Sequence, residues 1–348
     1  MPLSGLKARA ADFSPVISVL DSPLAKFGDI NVSRACDGVG MSGLTTSQLS
    51  FTVPGELTAP RAAKVTLTGV GNLPTYYIAS RSTSQGVTSV TCYDRMAFAD
   101  TAFPHSDFSA NSVPIAEILQ KISTVCEVNG CVGIPSWITK MSKAKLQGTC
   151  SDIMSAIASA ACGFWRVSAD NKYEFVPFGA FTAEMTVKQH TALDVGCEYR
   201  VQGVQGTDSK GMVFTSGSSS LHSYDGIIID SDLITAEGVS EIWGRAENAE
   251  MTAVNCEKAI VNSIPEINTL VTFGQGGSYV TNNISCSISA GGIVATLIGN
   301  APSGDEIGTR GCISKRLSQA VLLGKQMGNQ VITAYQGTFY KSEGKYSG

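Results

Sequence analysis

From Gln48 to Val53 polar and apolar residues alternate without a break: Gln48, Ser50 and Thr52 against Leu49, Phe51 and Val53. Successive side chains of a strand point to opposite faces, so this pattern specifies a half-buried β-strand and excludes a helix. The same period of two links Ile17 with Val19 and Ile30 with Val32. It recurs where Val65 and Leu67 alternate with Lys64, Thr66 and Thr68. Pro54-Gly55, Gly69 to Pro74 and Ser84 to Gly86 punctuate these runs as turns. The stretch from Tyr76 to Asp100 reads as two more strands around a polar turn, closing on Tyr93-Asp94-Arg95. Residues 14 to 103 are therefore expected to be β structure.

The period then changes. Ile115, Ile118, Leu119 and Ile122 stand at helical spacing, with Ser112 as the expected cap and Pro114 in the first turn. A second helix is expected from Thr149, where Thr149-Cys-Ser-Asp152 has the form of a capping box with Asp in place of Glu. Ile153, Ile157 and Ala160/Ala161 give it an apolar face, and Gly163 is the expected stop. A hairpin follows, Phe164 to Val167 and Tyr173 to Val176, turning at Ala169 to Lys172. Helix, helix and hairpin make a small α+β unit.

From about residue 183 the chain is β-like again. Expected strands are Tyr199 to Val204, Met212 to Thr215, Gly226 to Ile229, Leu270 to Phe273, Ile284 to Ile288 and Ile293 to Ile298. A hairpin turn is expected at Gly274 to Ser278 and a helix near Ala246 to Lys258. The run Ser303 to Gly311 is a linker by composition. Beyond it Ile313, Leu317, Val321, Gly324 and Val331 predict an amphipathic C-terminal helix with Lys315, Arg316 and Lys325 outside.

With 348 residues, two or three domains are expected. Only 16% of residues are charged, against about 25% in an average protein. Such a low-charge chain with 36 Gly fits either a β-rich protein that is buried in an assembly or an ordinary β-rich soluble protein. The net charge of −4 and the lack of a Lys/Arg cluster argue against nucleic-acid binding. The ten cysteines are scattered, with no Cys-x-x-Cys, and read as reduced thiols of a cytoplasmically folded protein. The N-terminus lacks the apolar core of a signal peptide, and no run reaches the ~20 apolar residues of a membrane helix.

Chemistry is weakly signalled. Gly38-Val-Gly40-Met-Ser-Gly43 matches the dinucleotide spacing, but a strand pattern follows where a helix is required, so no cofactor is expected. His105, His190 and His222 are far apart and do not form a metal pair, and Cys126 with Cys131 only flanks a turn. Asp225, Asp230, Asp232 and Glu237 lack the calcium-loop spacing and read as a solvated loop. Cys197 with His222 is the one conceivable nucleophile and base. There is no Gly-x-Ser-x-Gly elbow and no Walker loop. The expectation is no catalytic, metal or cofactor-binding residue and no enzymatic activity.

Three stretches resemble a known family. Val87 to Ala99 resembles the end of the first barrel in the baseplate hub proteins of contractile phage tails and phage-tail-like bacteriocins, the late control protein D-like family. Thr149 to Val167, running on to Asn171 to Phe178, is similar to the family's middle domain: a helix ending in Gly, an aromatic strand, a polar turn and a Phe-Val-Pro-Phe run. Ile264-Pro265 to Ile298 resembles the close of the second barrel. The resemblance implies an α+β, mainly β chain with two tail-tube-like β-barrels, a small α+β domain between them and a C-terminal helical tail. Its boundaries are 1–108 for the first barrel, 109–182 for the α+β domain, 183–302 for the second barrel and 303–348 for linker and helix. It implies a homotrimer forming a pseudo-sixfold ring that joins the hexameric tail tube to the trimeric central spike, beside other baseplate proteins. Such a protein is assembled in the bacterial cytoplasm and carried in the virion or particle. A tail-tip protein of a non-contractile phage is the alternative, and a cell-wall hydrolase using Cys197 is the more distant one. Tyr93, Asp94, Arg95 and Gly163 are read as structural corner residues. Tyr93 would close a barrel end, and Asp94 would turn the chain or pair near Arg95.

Overall fold

The structure, a computed structural model, describes residues 14–36, 43–199, 201–218, 226–247 and 251–299. The first β region contributes β1 (Val16–Val19), β2 (Ser22–Pro23), β3 (Gly28–Ala35), β4 (Ser47–Pro54), β5 (Lys64–Thr68), β6 (Tyr76–Ser84) and β7 (Val87–Tyr93). The middle contains β8 (Ser112–Pro114), α1 (Ile115–Val125), β9 (Cys131–Val132), β10 (Lys140–Ser142), α2 (Cys150–Ala161), β11 (Gly163–Val167) and β12 (Tyr173–Pro177). The remainder is β13 (Ala183–Thr186), β14 (Ala192–Tyr199), β15 (Gly203–Thr207), β16 (Val213–Gly217), β17 (Gly226–Asp230), α3 (Ala236–Ala246), β18 (Met251–Val261), β19 (Thr269–Thr272), β20 (Ser278–Thr281), β21 (Asn283–Ser289) and β22 (Gly292–Gly299). The chain is mainly β with a few helices.

Strands from both β regions enter one sheet of eleven, in the order β14-β18-β22-β21-β3-β4-β7-β6-β5-β1-β2. The two regions meet where β21 pairs antiparallel with β3, from Asn283 opposite Ala35 to Ile288 opposite Ile30. Among the described residues no set of strands closes into a barrel, and the strands of the two regions share one sheet. Strand β3 joins the two regions, its two edges bonding β4 on one side and β21 on the other. Periodicity reveals which face a strand buries, but not which neighbour takes its edge.

The inner face of this sheet is continuous across the seam. Ile30, Val32, Leu49, Phe51, Val90 and Cys92 share one core with Val254, Cys256, Ile284, Cys286, Ile293 and Leu297. The outer face of the central strands is mostly short and uncharged, with Asn31, Ser33, Gln48, Ser50, Thr52, Thr91, Ser285 and Ser287, and one carboxylate, Asp29, which accepts the Thr52 hydroxyl at 3.1 Å.

A second core belongs to the middle unit. Ile118, Ile122, Trp137, Ile153, Ile157, Trp165 and Phe175 form it, and Val204, Ile227, Ile229, Val239 and Ile242 join them. The small sheet β16-β15-β17 and α3 therefore pack on the middle unit, across the boundary expected at residue 183. At Gly238 of α3 an added Cβ would stand 2.9 Å from the Trp137 ring, so only a glycine lets that helix lie this close.

Local signals agree in part. Thr149 and Asp152 form the capping box: Thr149 Oγ1 accepts the Asp152 N–H at 3.2 Å and Asp152 Oδ2 accepts the Thr149 N–H at 2.8 Å. Ser112 is no cap; it lies in β8, and α1 starts after Pro114. Cys162, not Gly163, takes the left-handed position that ends α2, at φ 53°. The helix expected near Ala246 to Lys258 is displaced: α3 ends at Ala246 and Met251–Val261 is a strand. A bulge between Cys256 and Ala259, with Lys258 at φ 51°, breaks the alternation of Val254, Cys256, Ala259 and Val261. The run expected from Tyr199 to Val204 is also split, between β14 and β15. The C-terminal helix expected in 303–348 lies outside the described residues.

Candidate functional site: a buried polar junction

Strand β3 buries Ile30, Val32 and then Arg34, so its alternation carries a guanidinium into the inner face of the sheet. Arg34 is 4% exposed. A charge there requires partners, and it finds them on separate elements. Nε donates to Ser47 Oγ at 3.3 Å, and Nη1 donates to the Pro265 carbonyl at 3.2 Å and to Glu266 Oε2 at 2.7 Å. The same Glu266 oxygen accepts from Arg166 Nη1 of β11 at 3.0 Å, and Arg166 Nε donates to Glu174 Oε2 of β12 at 2.9 Å. This chain of charge-assisted bonds joins the main sheet to the middle unit.

Asp94 closes the other end. It follows β7 and is 2% exposed. Oδ2 accepts the Ser47 N–H at 2.8 Å, and Oδ1 accepts the Met96 N–H at 3.0 Å, capping the single 3-10 turn Arg95–Phe98. Ser47 Oγ lies 2.9 Å from the Tyr76 hydroxyl. Thr45 adds a seam to the middle unit: its N–H and its hydroxyl each reach the Trp165 carbonyl at 2.8 Å. Arg34, Thr45, Ser47, Asp94, Arg166 and Glu266 line a cavity of about 10 Å³, room for roughly one water molecule.

Burial sets the electrostatics. It pushes Asp94 up to about 7, outweighing the two backbone N–H groups and Arg34, which favour the carboxylate. It also raises Tyr76. For Arg34 burial opposes the charge, but Glu266 and Tyr76 more than offset it and the net shift is upward.

The four corner residues have distinct surroundings. Tyr93 is half-buried on the outer side of β7, opposite Gln48 and Tyr77. Arg95 stacks its guanidinium 4.1 Å from the Tyr77 ring centre and 4.6 Å from that of Phe98, and pairs with Glu127 at 2.9 Å. Its carbonyl accepts the Tyr173 hydroxyl at 2.8 Å. Asp94 itself bonds backbone N–H groups of Ser47 and Met96. Gly163 belongs to a different place, the start of β11, where an added Cβ would stand 2.4 Å from both the Phe175 ring and the Val176 carbonyl. Sequence reasoning missed Arg34, Ser47, Tyr76, Arg166 and Glu266. The available signal was Arg34 itself, a charge in phase with the inward-facing Ile30 and Val32.

Among the described residues the other sequence candidates do not assemble into a site. His105 sits in a 3-10 turn and His190 lies against the Phe273 ring at 6.0 Å. Cys197 with His222 falls outside the residues whose side chains are described, as do Gly38, Gly40, Asp225 and Cys312. Asp232 pairs with Lys145 at 3.6 Å. Among the described residues no group of His, Cys, Asp and Glu is placed to hold a metal ion, and no helix is long and apolar enough to cross a membrane.

No protein-family model matches the sequence, and no curated protein sequence matches it. Solved structures do resemble it. The 43 kDa tail protein of prophage MuSo2 from Shewanella oneidensis aligns over 82% of this chain and 97% of its own, with a TM-score of 0.51 at 14% identity. The prophage tail protein gp18 from Listeria monocytogenes EGD-e aligns over 88% of this chain and 99% of its own, with a TM-score of 0.52 at 11% identity. This chain is similar to both in fold.

Proposed function

We propose that this chain is a structural protein of a phage tail or of a tail-derived particle, acting as the baseplate hub. In this reading three copies form a ring with pseudo-sixfold symmetry, which joins a hexameric tail tube to a trimeric central spike. The observation that carries it is fold likeness to two prophage tail proteins over nearly their whole length. The sheet supports it: each chain brings two β regions joined at β3 and β21, so three copies would bring six. Among the described residues the sheet ends at β14 and β2, and strand edges left open there would invite association.

The role is proposed to be non-enzymatic. Its buried carboxylates and guanidiniums bond one another and the backbone, as in a structural junction. Native mass spectrometry of the purified chain, alone and with its tube and spike proteins, tests the assembly. A trimer that captures both partners is expected; a monomer that binds neither removes the hub reading. Peptidoglycan turnover lost on Cys197→Ala would instead establish the hydrolase alternative.

A further inference from the structure

The buried junction leaves donors and acceptors over. Every nitrogen of a guanidinium donates. In Arg34, Nε is taken by Ser47 Oγ, and Nη1 by the Pro265 carbonyl and Glu266 Oε2. Nη2 is buried and finds no acceptor among the described residues. Two neighbours hold the opposite surplus. Asp94 accepts one N–H at each oxygen, from Met96 at Oδ1 and from Ser47 at Oδ2, and a carboxylate oxygen has room for a second donor. The buried Thr45 hydroxyl donates to the Trp165 carbonyl and keeps its own lone pairs. Arg34, Asp94 and Thr45 line the same cavity of about 10 Å³.

We propose that this cavity is a binding site for one structural water molecule, which accepts from Arg34 Nη2 and donates to Asp94 and Thr45. The guest has to donate and accept at once, and a water molecule does both. The volume is close to the minimum that one water requires, and the polar partners are the two to four that hold it. Chloride only accepts; it satisfies Arg34 Nη2 but leaves the lone pairs of Asp94 and Thr45 unused and meets the carboxyl groups of Asp94 and Glu266. A small cation meets two guanidiniums instead. The flanking charges already pair with each other, Arg34 and Arg166 with Glu266, and Arg166 with Glu174. A neutral guest therefore adds no buried charge.

Water also suits both forms of Asp94. Facing the carboxylate it donates; facing the neutral acid it turns and accepts the O–H. The cavity has a way in, because Arg166 and Glu266, which also line it, are partly exposed. The guest bridges β3 and the end of β7 to the Thr45 seam with the middle unit. It holds that junction together whether or not the chain is a baseplate hub.

The test is a high-resolution crystal structure of the full-length chain, with a second crystal soaked in bromide. The expected result is one density peak in the cavity that refines as water, at about 2.7 to 3.2 Å from Arg34 Nη2 and at a similar distance from an oxygen of Asp94 or Thr45. No bromide anomalous signal is expected there. A cavity without density would overturn the proposal, as would Arg34 Nη2 bonded directly to a protein oxygen. A bromide peak at the same place would overturn it in favour of an anion site.

Discussion

Asp94→Asn separates two opposing effects at the buried junction. The Ser47 and Met96 N–H groups and Arg34 favour a carboxylate; complete burial favours a neutral acid. If burial prevails, the folded chain holds a proton on Asp94 up to about pH 7, while the unfolded chain releases it near the ordinary 3.8. Between those values the folded state binds more protons, so stability is fully present below about pH 4 and is lost as pH rises through about 7. That separation, at about 1.4 kcal/mol for each pH unit, is worth about 4 kcal/mol. Asp94 is buried at 2% exposure, so solvent screening takes little from this figure. An asparagine carries no titrating proton and removes the dependence. Urea unfolding across pH 4 to 8, followed by the fluorescence of buried Trp137 and Trp165, measures both proteins. The wild type is expected to lose about 4 kcal/mol relative to Asp94→Asn over this window. Parallel profiles would refute the reasoning. A wild type that gains on the variant as pH rises would show that the N–H groups and Arg34 prevail.

Arg34→Met removes the bonds to Ser47, Pro265 and Glu266 and leaves Arg166 as the remaining partner of that carboxylate; a loss of about 3 kcal/mol is expected in urea unfolding. Gly163→Ala drives a methyl group to 2.4 Å from the Phe175 ring and the Val176 carbonyl, and is expected to cost about 3 kcal/mol, read as a lower thermal midpoint. Thr149→Ala leaves the Asp152 N–H without its cap; about 1 kcal/mol of destabilisation is expected by the same measurement, and Thr149→Ser should recover most of it.

Local rules made a good part of this fold readable. The alternation around Leu49, Phe51 and Val53 marks a strand whose inward positions are buried as expected. Thr149 and Asp152 announce the start of α2 three residues apart. What stayed hidden is non-local. Nothing in the spacing of Ile30 and Val32 shows that β3 accepts β21 as a neighbour, some 250 residues later. The bulge at Lys258 shifts the phase of β18 and makes an eleven-residue strand resemble a helix. Trp137 and Gly238 meet only because α3 folds back on the middle unit, a contact no window of sequence contains. The junction shows the same division. Arg34 was visible as a charge in an inward phase, while Glu266 and Arg166, its partner and its partner's partner, became visible only once three separate segments were brought together.

The hub assignment is tested most directly by imaging the intact particle with this subunit located in the map. The expected result is three copies in a ring on the tail axis, between the last ring of the tube and the spike. Density for this chain in the sheath, the fibres or the spike, or a copy number that is not three, would contradict it.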